Sequence, residues 1–168
     1  MVRRGEGTAA FRMQSGLESQ KHMPNECHIT VPGRLDQLIT ISEFIAQAAH
    51  QARLDERTTF HIQMAVDEAC TNVIQHAYKD IKDGRIEITC RYADEEFTVV
   101  IQDHGHPFDP AAIPLPDLNA DLEKRREGGL GLYFMRRLMD EVRFSFDAEA
   151  GNTVTMIKRV APQPTNEH

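Results

Sequence analysis

The spacing of apolar residues predicts two amphipathic helices in the first half of the chain. Between Leu35 and Arg53 the apolar side chains recur at helical spacing, which is typical of a helix with one buried face. A second helix is predicted to run from Asp55, whose carboxylate can cap it, to about Tyr78. On this second helix one apolar face is formed by Ile62, Val66, Ala69, Val73 and Ala77. These faces predict where the helices pack on a core.

Alternation of apolar and polar residues predicts strands on either side of these helices. The predicted strands cover residues 27–31, 85–92, 97–103, 142–146 and 153–160. The last two strands are expected to join over Gly151-Asn152, and a third helix is expected over residues 129–141. Because helices and strands are segregated and short turns join the strands, the pattern predicts an α+β fold. It is a two-layer sandwich, with a mostly antiparallel sheet and helices on one face.

The length and composition indicate one folded domain. The chain has 168 residues, of which 40% are hydrophobic, enough for a single sizeable core. We expect this domain over residues 26–161, between polar tails at 1–25 and 162–168. Within it, residues 109–127 are rich in proline and charge, and a loop of that length is typical of a lid over a site.

The charge and cysteine content narrow the class of protein. A net charge of −7 argues against binding to nucleic acid or to a membrane surface, which usually needs a basic patch. The apolar runs are too short to cross a membrane, and no apolar run follows the basic N-terminus as in a signal peptide. The three cysteines form no CxxC motif, which favours free thiols in a reducing compartment. We therefore expect a cytoplasmic protein.

Glu68 and Asn72 form the first candidate site. They lie four residues apart on the second helix, so both project from one face, about 6 Å apart along the axis. A carboxamide oxygen suits a hydrated Mg²⁺ ion, and a carboxylate can orient or deprotonate a nucleophile. With His76 they belong to a polar stripe that borders the apolar face, which predicts a position on the lip of a cleft. Two solvated polar residues are the alternative interpretation.

A second candidate segment follows the third predicted strand. Asp103 continues the inward alternation of that strand, and a buried carboxylate is costly unless it is hydrogen-bonded. An adenine amine could satisfy it, Gly105 would let the backbone approach the base, and Phe108 could form an apolar wall. A strand-ending Asp that caps a turn is the alternative. His104 and His106 suggest a metal pair, but no third ligand is evident, so exposed loop histidines are the preferred interpretation.

The third candidate segment is the glycine-rich start of the third helix. Free backbone N–H groups and the helix dipole at Gly128-Gly129-Leu130-Gly131 favour phosphate. Lys124 and Arg126 precede it and can offset the phosphate charge. The chain has no G-x-x-x-x-G-K-[ST] motif, which excludes a Walker-type site. A flexible hinge and a solvated basic loop are the alternatives.

In this order, the three segments resemble the N, G1 and G2 boxes of the GHKL ATP-binding fold. Glu68-Ala69-Cys70-Thr71-Asn72 with His76 resembles the N box, and Asp103-x-Gly105-x-Pro107-Phe108 resembles the G1 box. The run from Glu127 to Val142 is similar to the G2 segment of one branch, the anti-sigma factor serine/threonine-protein kinases. Gly151-Asn152-Thr153-Val154 is similar to the closing strand of that branch.

The resemblance, which covers roughly residues 28–160, implies roles for these residues. Glu68 would be the catalytic base, Asn72 would ligate Mg²⁺, and Asp103 would contact adenine. The other residues that it implies for ATP or ADP binding are His76, Gly105, Phe108, Lys124, Arg126, Gly128, Gly129, Leu130, Gly131, Leu132 and Thr153.

The implied function is that of a bacterial anti-sigma factor with serine-protein kinase activity. Such a protein binds Mg-ATP, phosphorylates a small antagonist protein, sequesters a sigma factor and forms a homodimer. One alternative is a non-catalytic module that switches partners when it binds ATP or ADP. Another is a detached histidine-kinase-type ATPase domain, which is less favoured because the chain has no long helix pair with a phosphoacceptor histidine.

Overall fold

The computed structural model describes residues 26–110 and 129–161, in which three helices and five strands form an α+β fold. The strands are β1 (Glu26–Pro32), β2 (Arg85–Ala93), β3 (Glu96–Asp103), β4 (Glu141–Asp147) and β5 (Gly151–Arg159). The helices are α1 (Leu38–Gln51), α2 (Glu56–Asn72) and α3 (Gly129–Leu138). The sheet order is β1-β2-β3-β5-β4 and every neighbouring pair is antiparallel. The predicted fold class and element order are confirmed.

The core lies between the helices and one face of the sheet. Across the central strands, Ile88 of β2 pairs with Ile101 of β3, which pairs with Val154 of β5. All three are buried, and so is the whole predicted apolar face of α2. Because burial of one large aliphatic side chain contributes about 1.5–3 kcal/mol, these paired rows hold the helical layer on the sheet. The described residues include no helix with the length and apolar character needed to cross a membrane.

The helix α2 ends in a wider turn. Asp55 caps its start, since its carboxylate accepts a hydrogen bond from the backbone N–H of Thr58 at 2.7 Å. After Asn72 the chain forms one π turn over Val73–Ala77, so the predicted helix reaches its expected end with a different final turn. The carbonyl of Ala77 accepts a hydrogen bond from the N–H of His106 at 2.8 Å. This turn therefore ties the end of α2 to the loop after β3, and such turns are frequent at functional sites.

Tyr78, directly after that turn, joins the ends of three strands. Its buried ring lies against Gly33 and Gly84, where an added Cβ would lie 2.5 Å and 2.6 Å from ring carbons. Its hydroxyl donates a hydrogen bond to the carbonyl of Arg85 and accepts one from the N–H of His104 at 3.1 Å. The start of β2 and the residue after β3 are thereby held together.

The turn between β4 and β5 differs from the prediction. It covers residues 148–150, and Gly151 and Asn152 already belong to β5. The carboxylate of Asp147 accepts hydrogen bonds from the N–H groups of Glu149 and Ala150 at 2.8 Å and 2.7 Å, which closes the turn earlier. Gly151 has φ +87°, a conformation that suits glycine. As a result Asn152 is paired with Asp103.

Two helix boundaries also differ from the prediction. The helix α3 ends at Leu138, before the predicted end at residue 141, and β4 already begins at Glu141. The ammonium of Lys158 donates a hydrogen bond to the carbonyl of Leu138 at 2.7 Å. A short 3-10 turn over Leu35–Gln37 precedes α1. The predicted tails and most of the predicted lid lie outside the described residues.

Candidate functional site

A cleft opens where the end of α2 meets the loop after β3 and the β4–β5 pair. The empty space within it, counted together with adjoining space that is open to solvent, is about 400 Å³. Four of the predicted site residues line it: Asn72, His76, Asp103 and Phe108. The structure therefore brings the first and second candidate segments to one cleft.

Asp103 is the buried acidic group of this cleft. It is only 3% exposed, as the strand alternation predicted. One carboxylate oxygen, Oδ1, accepts hydrogen bonds from the N–H of Gly105 at 2.9 Å and from the side-chain amide of Asn152 at 2.8 Å. Within residues 26–110 and 129–161, the other oxygen, Oδ2, has no hydrogen-bond partner. Because an unpartnered buried acceptor is costly, Oδ2 is suited to a donor on a ligand.

Gly105 holds its segment close to the π turn that follows α2. A Cβ at this position would lie 2.4 Å from the carbonyl oxygen of Ala77, so only glycine fits without a shift of backbone. Its own carbonyl accepts a hydrogen bond from the side chain of Asn152 at 3.0 Å. The segment is thus fixed from both sides, by the π turn and by β5.

Three aromatic rings form the apolar wall of the cleft. Phe108 packs edge-to-face with Phe144, at 5.7 Å between ring centroids, and with Phe146 at 6.3 Å. All three line the cleft. A flat aromatic ligand can stack or pack edge-on against such rings. The sequence interpretation identified Phe108 and missed both residues of β4, although alternation with Val142 places them on the core face.

Glu68 and Asn72 meet the start of α3. Both side chains are half-buried, and neither has a hydrogen bond or ion pair within the part of the chain that the structure describes. A Cβ at Gly131 would lie 2.6 Å from Oε2 of Glu68 and 3.8 Å from Nδ2 of Asn72. The first turn of α3 therefore lies directly against this pair, which joins the third candidate segment to the first.

The carboxyl group of Glu68 has a raised pKa. Burial raises its pKa, and the negative charge of Asp67 raises it further. A general base works best when its pKa lies near the working pH, so the shift is in the direction that favours proton transfer from a hydroxyl.

The other predicted residues fall in different places. Leu132 is buried in the hydrophobic core, so its side chain packs the fold and does not line the cleft. Gly129 starts α3 and Leu130 is half-buried beside it. Lys124, Arg126 and Gly128 lie outside the described residues.

Thr153 lies away from the cleft in this structure. Because β5 begins at Gly151, the alternation of the strand directs Asn152 and Val154 to the core face and Thr153 to the opposite face. Thr153 pairs with Gln102 and Ser145 and is absent from the lining of the cleft. Asn152 is therefore the residue of this strand that lies beside Asp103.

The described residues include no cluster of three or more His, Cys, Asp or Glu side chains that could hold a metal ion. His106 lines the cleft, and both His104 and His106 are exposed. The cysteines are free thiols, with Cys70 and Cys90 buried and Cys27 half-buried. Burial raises the pKa of the Cys70 thiol, which makes it a poor nucleophile.

Comparisons with known proteins agree with this fold. The model of the histidine kinase-like ATPase domain family matches residues 31–158. The serine-protein kinase RsbW of Bacillus subtilis is 40% identical over 102 residues, which are 58% of this chain and 62% of that protein. The chain thus matches less than two thirds of that relative. RsbW of Bacillus cereus is 30% identical over 134 residues, which are 77% of this chain and 82% of that protein.

A solved structure supports the same fold. The crystal structure of the RsbU and RsbW domains of a Mycobacterium tuberculosis protein matches with a TM-score of 0.60 at 20% identity. The match covers 82% of this chain and 33% of that one. At this identity it supports the architecture alone.

Proposed function

Because the chain belongs to the histidine kinase-like ATPase domain family, we propose that it is an ATP-dependent serine/threonine-protein kinase. The observation that carries this proposal is that Glu68, a half-buried carboxylate with a raised pKa, lies against the first turn of α3, one helical turn before Asn72, which lines the cleft together with Asp103. The relatives named serine-protein kinases support the same activity.

The adenine end of the site is formed by Asp103 and the aromatic wall. The free Oδ2 of Asp103 would accept a hydrogen bond from the amine of the base. Phe108, Phe144 and Phe146 would cover the faces and edges of the ring, since they line the same cleft. Gly105 would keep the backbone close to the base, because its own packing against Ala77 leaves no space for a side chain.

The phosphate end lies toward α3. The first backbone N–H groups of α3, from Gly129 onward, are unsatisfied within the helix and carry the positive end of its dipole. Asn72 lines the cleft and its carboxamide has no partner within the described residues, so it fits the requirement for a neutral oxygen ligand of Mg²⁺. By the resemblance, Lys124 and Arg126, which precede this helix in the sequence, would offset the phosphate charge.

Bound Mg-ATP would supply the phosphoryl group, and Glu68 would act on its acceptor. Glu68 accepts the proton of a serine or threonine hydroxyl as that oxygen bonds to the γ-phosphorus. The bond from phosphorus to the β,γ-bridging oxygen breaks, and its electron pair stays on ADP. Alignment and charge stabilisation dominate catalysis of this reaction class, and the base adds about 10²–10⁴-fold.

The acceptor we propose is a small antagonist protein of an anti-sigma factor, and the second partner is a sigma factor. This part of the proposal rests on the likeness of segments 68–76, 127–142 and 151–154 to the anti-sigma factor kinases. We place the protein in the cytoplasm as a homodimer, where phosphorylation of the antagonist would decide which partner is held.

The proposal is tested by phosphoryl transfer in solution. The full chain is incubated with γ-labelled ATP, Mg²⁺ and a candidate antagonist that is encoded beside its gene, and mass spectrometry locates the modified residue. The expected result is one phosphorylated serine or threonine, lost when the Mg²⁺ is chelated. Tight ATP binding without any transfer would instead identify a non-catalytic partner-switching module.

A further inference from the structure

We propose that Asn152 is a positioning residue that sets base selectivity in this site. It orients Asp103 so that one acceptor faces the cleft, and a purine with a 6-amino group is the base that fits. The inference rests on the proposed nucleotide-binding function and assigns a role to a residue that the sequence interpretation passed over in favour of Thr153.

Asn152 lies beside Asp103 on the buried face of β5. It is 6% exposed, pairs with Asp103 across β3 and β5, and lines the cleft. Its Nδ2 donates two hydrogen bonds, to Oδ1 of Asp103 at 2.8 Å and to the carbonyl of Gly105 at 3.0 Å. Both hydrogens of the amide are therefore used within the protein.

These partners determine the orientation of the amide. A carboxylate oxygen and a backbone carbonyl both only accept hydrogen bonds, so a flipped Asn152 would place oxygen against oxygen twice. The side-chain oxygen of Asn152 must therefore point away from Asp103 and Gly105. Within the described residues this oxygen has no hydrogen-bond partner.

The two carboxylate oxygens of Asp103 therefore differ in their hydrogen bonds. Its Oδ1 receives two donors, from Gly105 and Asn152, while Oδ2 receives none in the described part of the chain. This edge of the cleft offers acceptors and no side-chain donor from either residue. A 6-amino group supplies the donor that Oδ2 requires. A 6-oxo group would place a second acceptor against it, which leaves buried polar groups unpaired and lowers affinity.

Without Asn152 the carboxylate would lose this restraint. One donor to Oδ1 would remain, from Gly105, and the side chain of Asp103 could turn to accept water or present either oxygen. Selectivity between the two purines would fall because it depends on a fixed acceptor. A residue that only stabilises the fold would instead change the affinity for both purines together.

The experiment compares ATP with inosine triphosphate, its 6-oxo analogue, by calorimetry on the full chain with Mg²⁺. We expect the unmodified protein to prefer ATP, and Asn152→Ala to reduce the ratio of the two affinities by about 10-fold, the size of one buried hydrogen bond. Thr155→Ala, on the opposite face of the same strand, is the control and should leave the ratio unchanged.

A second variant keeps the test decisive if Asn152→Ala folds poorly. Asn152→Asp has the same shape but sets a second carboxylate against the carboxylate of Asp103. One of the two must be protonated for them to share a hydrogen bond. ATP binding by Asn152→Asp should therefore be weak at alkaline pH and recover as the pH falls, while the unmodified protein changes less.

Three results are distinguishable. No ATP binding by the unmodified protein overturns the proposed function itself. ATP binding without preference over the 6-oxo analogue overturns the selectivity inference alone. An unchanged affinity ratio in Asn152→Ala, or binding by Asn152→Asp that is independent of pH, shows that Asn152 does not position Asp103.

Discussion

The backbone of Gly131 lies directly against the carboxylate of Glu68. A Cβ at residue 131 would come within 2.6 Å of Oε2, well inside van der Waals contact. The glycine therefore lets the first turn of α3 approach the proposed base, and it links two segments that are far apart in the sequence.

Gly131→Ala should impair catalysis more than stability. The atom that would clash is the end of a flexible side chain, so Glu68 can move aside and the fold remains, but the base is then misplaced. We expect the rate of phosphoryl transfer to fall by about 10–100-fold, as for small displacements of catalytic groups. Steady-state kinetics and a thermal melt measure the two effects. Arg136→Ala, exposed on the same helix, is the control, and a wild-type rate in Gly131→Ala would contradict the contact.

The pH dependence of transfer should respond to Asp67. The pKa of Glu68 is raised by burial and then by the charge of Asp67. In the proposed mechanism activity needs the ionised form of Glu68, so it is lost as the pH falls through this raised pKa. Asp67→Asn removes the negative neighbour, lowers the pKa of Glu68, and should move the acidic limb of the kcat profile to lower pH. Asp80→Asn, exposed beyond the π turn, is the control; a shift in the opposite direction would exclude this coupling.

Tyr78→Phe should destabilise the protein. The variant keeps the ring between Gly33 and Gly84 but removes the hydroxyl that bonds Arg85 and His104. Leaving these partly buried backbone groups without a partner costs about 1–3 kcal/mol, measurable by urea unfolding.

The control for that loss is Tyr92→Phe. Tyr92 is half-buried, and its hydroxyl has no hydrogen bond within the described residues, so its free energy of unfolding should change little. Equal losses in the two variants would show that the Tyr78 hydroxyl bonds contribute nothing specific.

Phe144→Ala should weaken nucleotide binding. The ring lines the cleft and packs against Phe108 at 5.7 Å, so its removal opens the apolar wall. Aromatic contacts contribute about 0.5–1.5 kcal/mol beyond buried area, which predicts a Kd for ATP roughly 10-fold higher by calorimetry. Phe60→Ala, 58% exposed on α2, should bind as the unmodified chain does. An unchanged Kd for ATP in Phe144→Ala would show that the adenine ring binds elsewhere.

Much of the site could be predicted because it follows regular periodicity. The inward position of Asp103 follows from strand alternation, and the shared face of Glu68 and Asn72 follows from the helix angle. Asn152 could not be identified in the same way, because Gly151-Asn152 is itself a turn signal. The turn closed by Asp147 comes earlier than the predicted one, so Gly151 and Asn152 belong to the strand. Because side chains alternate along a strand, a change of one residue determines which side chain faces the cleft.

The π turn and the aromatic wall show a second limit. Nothing in the spacing of residues 73–77 distinguishes a π turn from α-helix, since both keep Val73 and Ala77 on the core. Phe144 and Phe146 meet Phe108 only because β5 pairs with β3, which brings β4 close to the loop after β3. That adjacency is a property of tertiary packing, which local patterns do not encode.

The central claim, that Glu68 is the catalytic base of an ATP-dependent kinase, is tested most directly by Glu68→Gln. The variant keeps the size of the side chain beside Gly131 and removes its ability to take a proton. ATP affinity and phosphoryl transfer are measured on the same preparation. We predict an ATP Kd within about threefold of the unmodified chain and a transfer rate lower by about 10²–10⁴-fold. Transfer at the unmodified rate, with ATP still bound, would contradict this assignment.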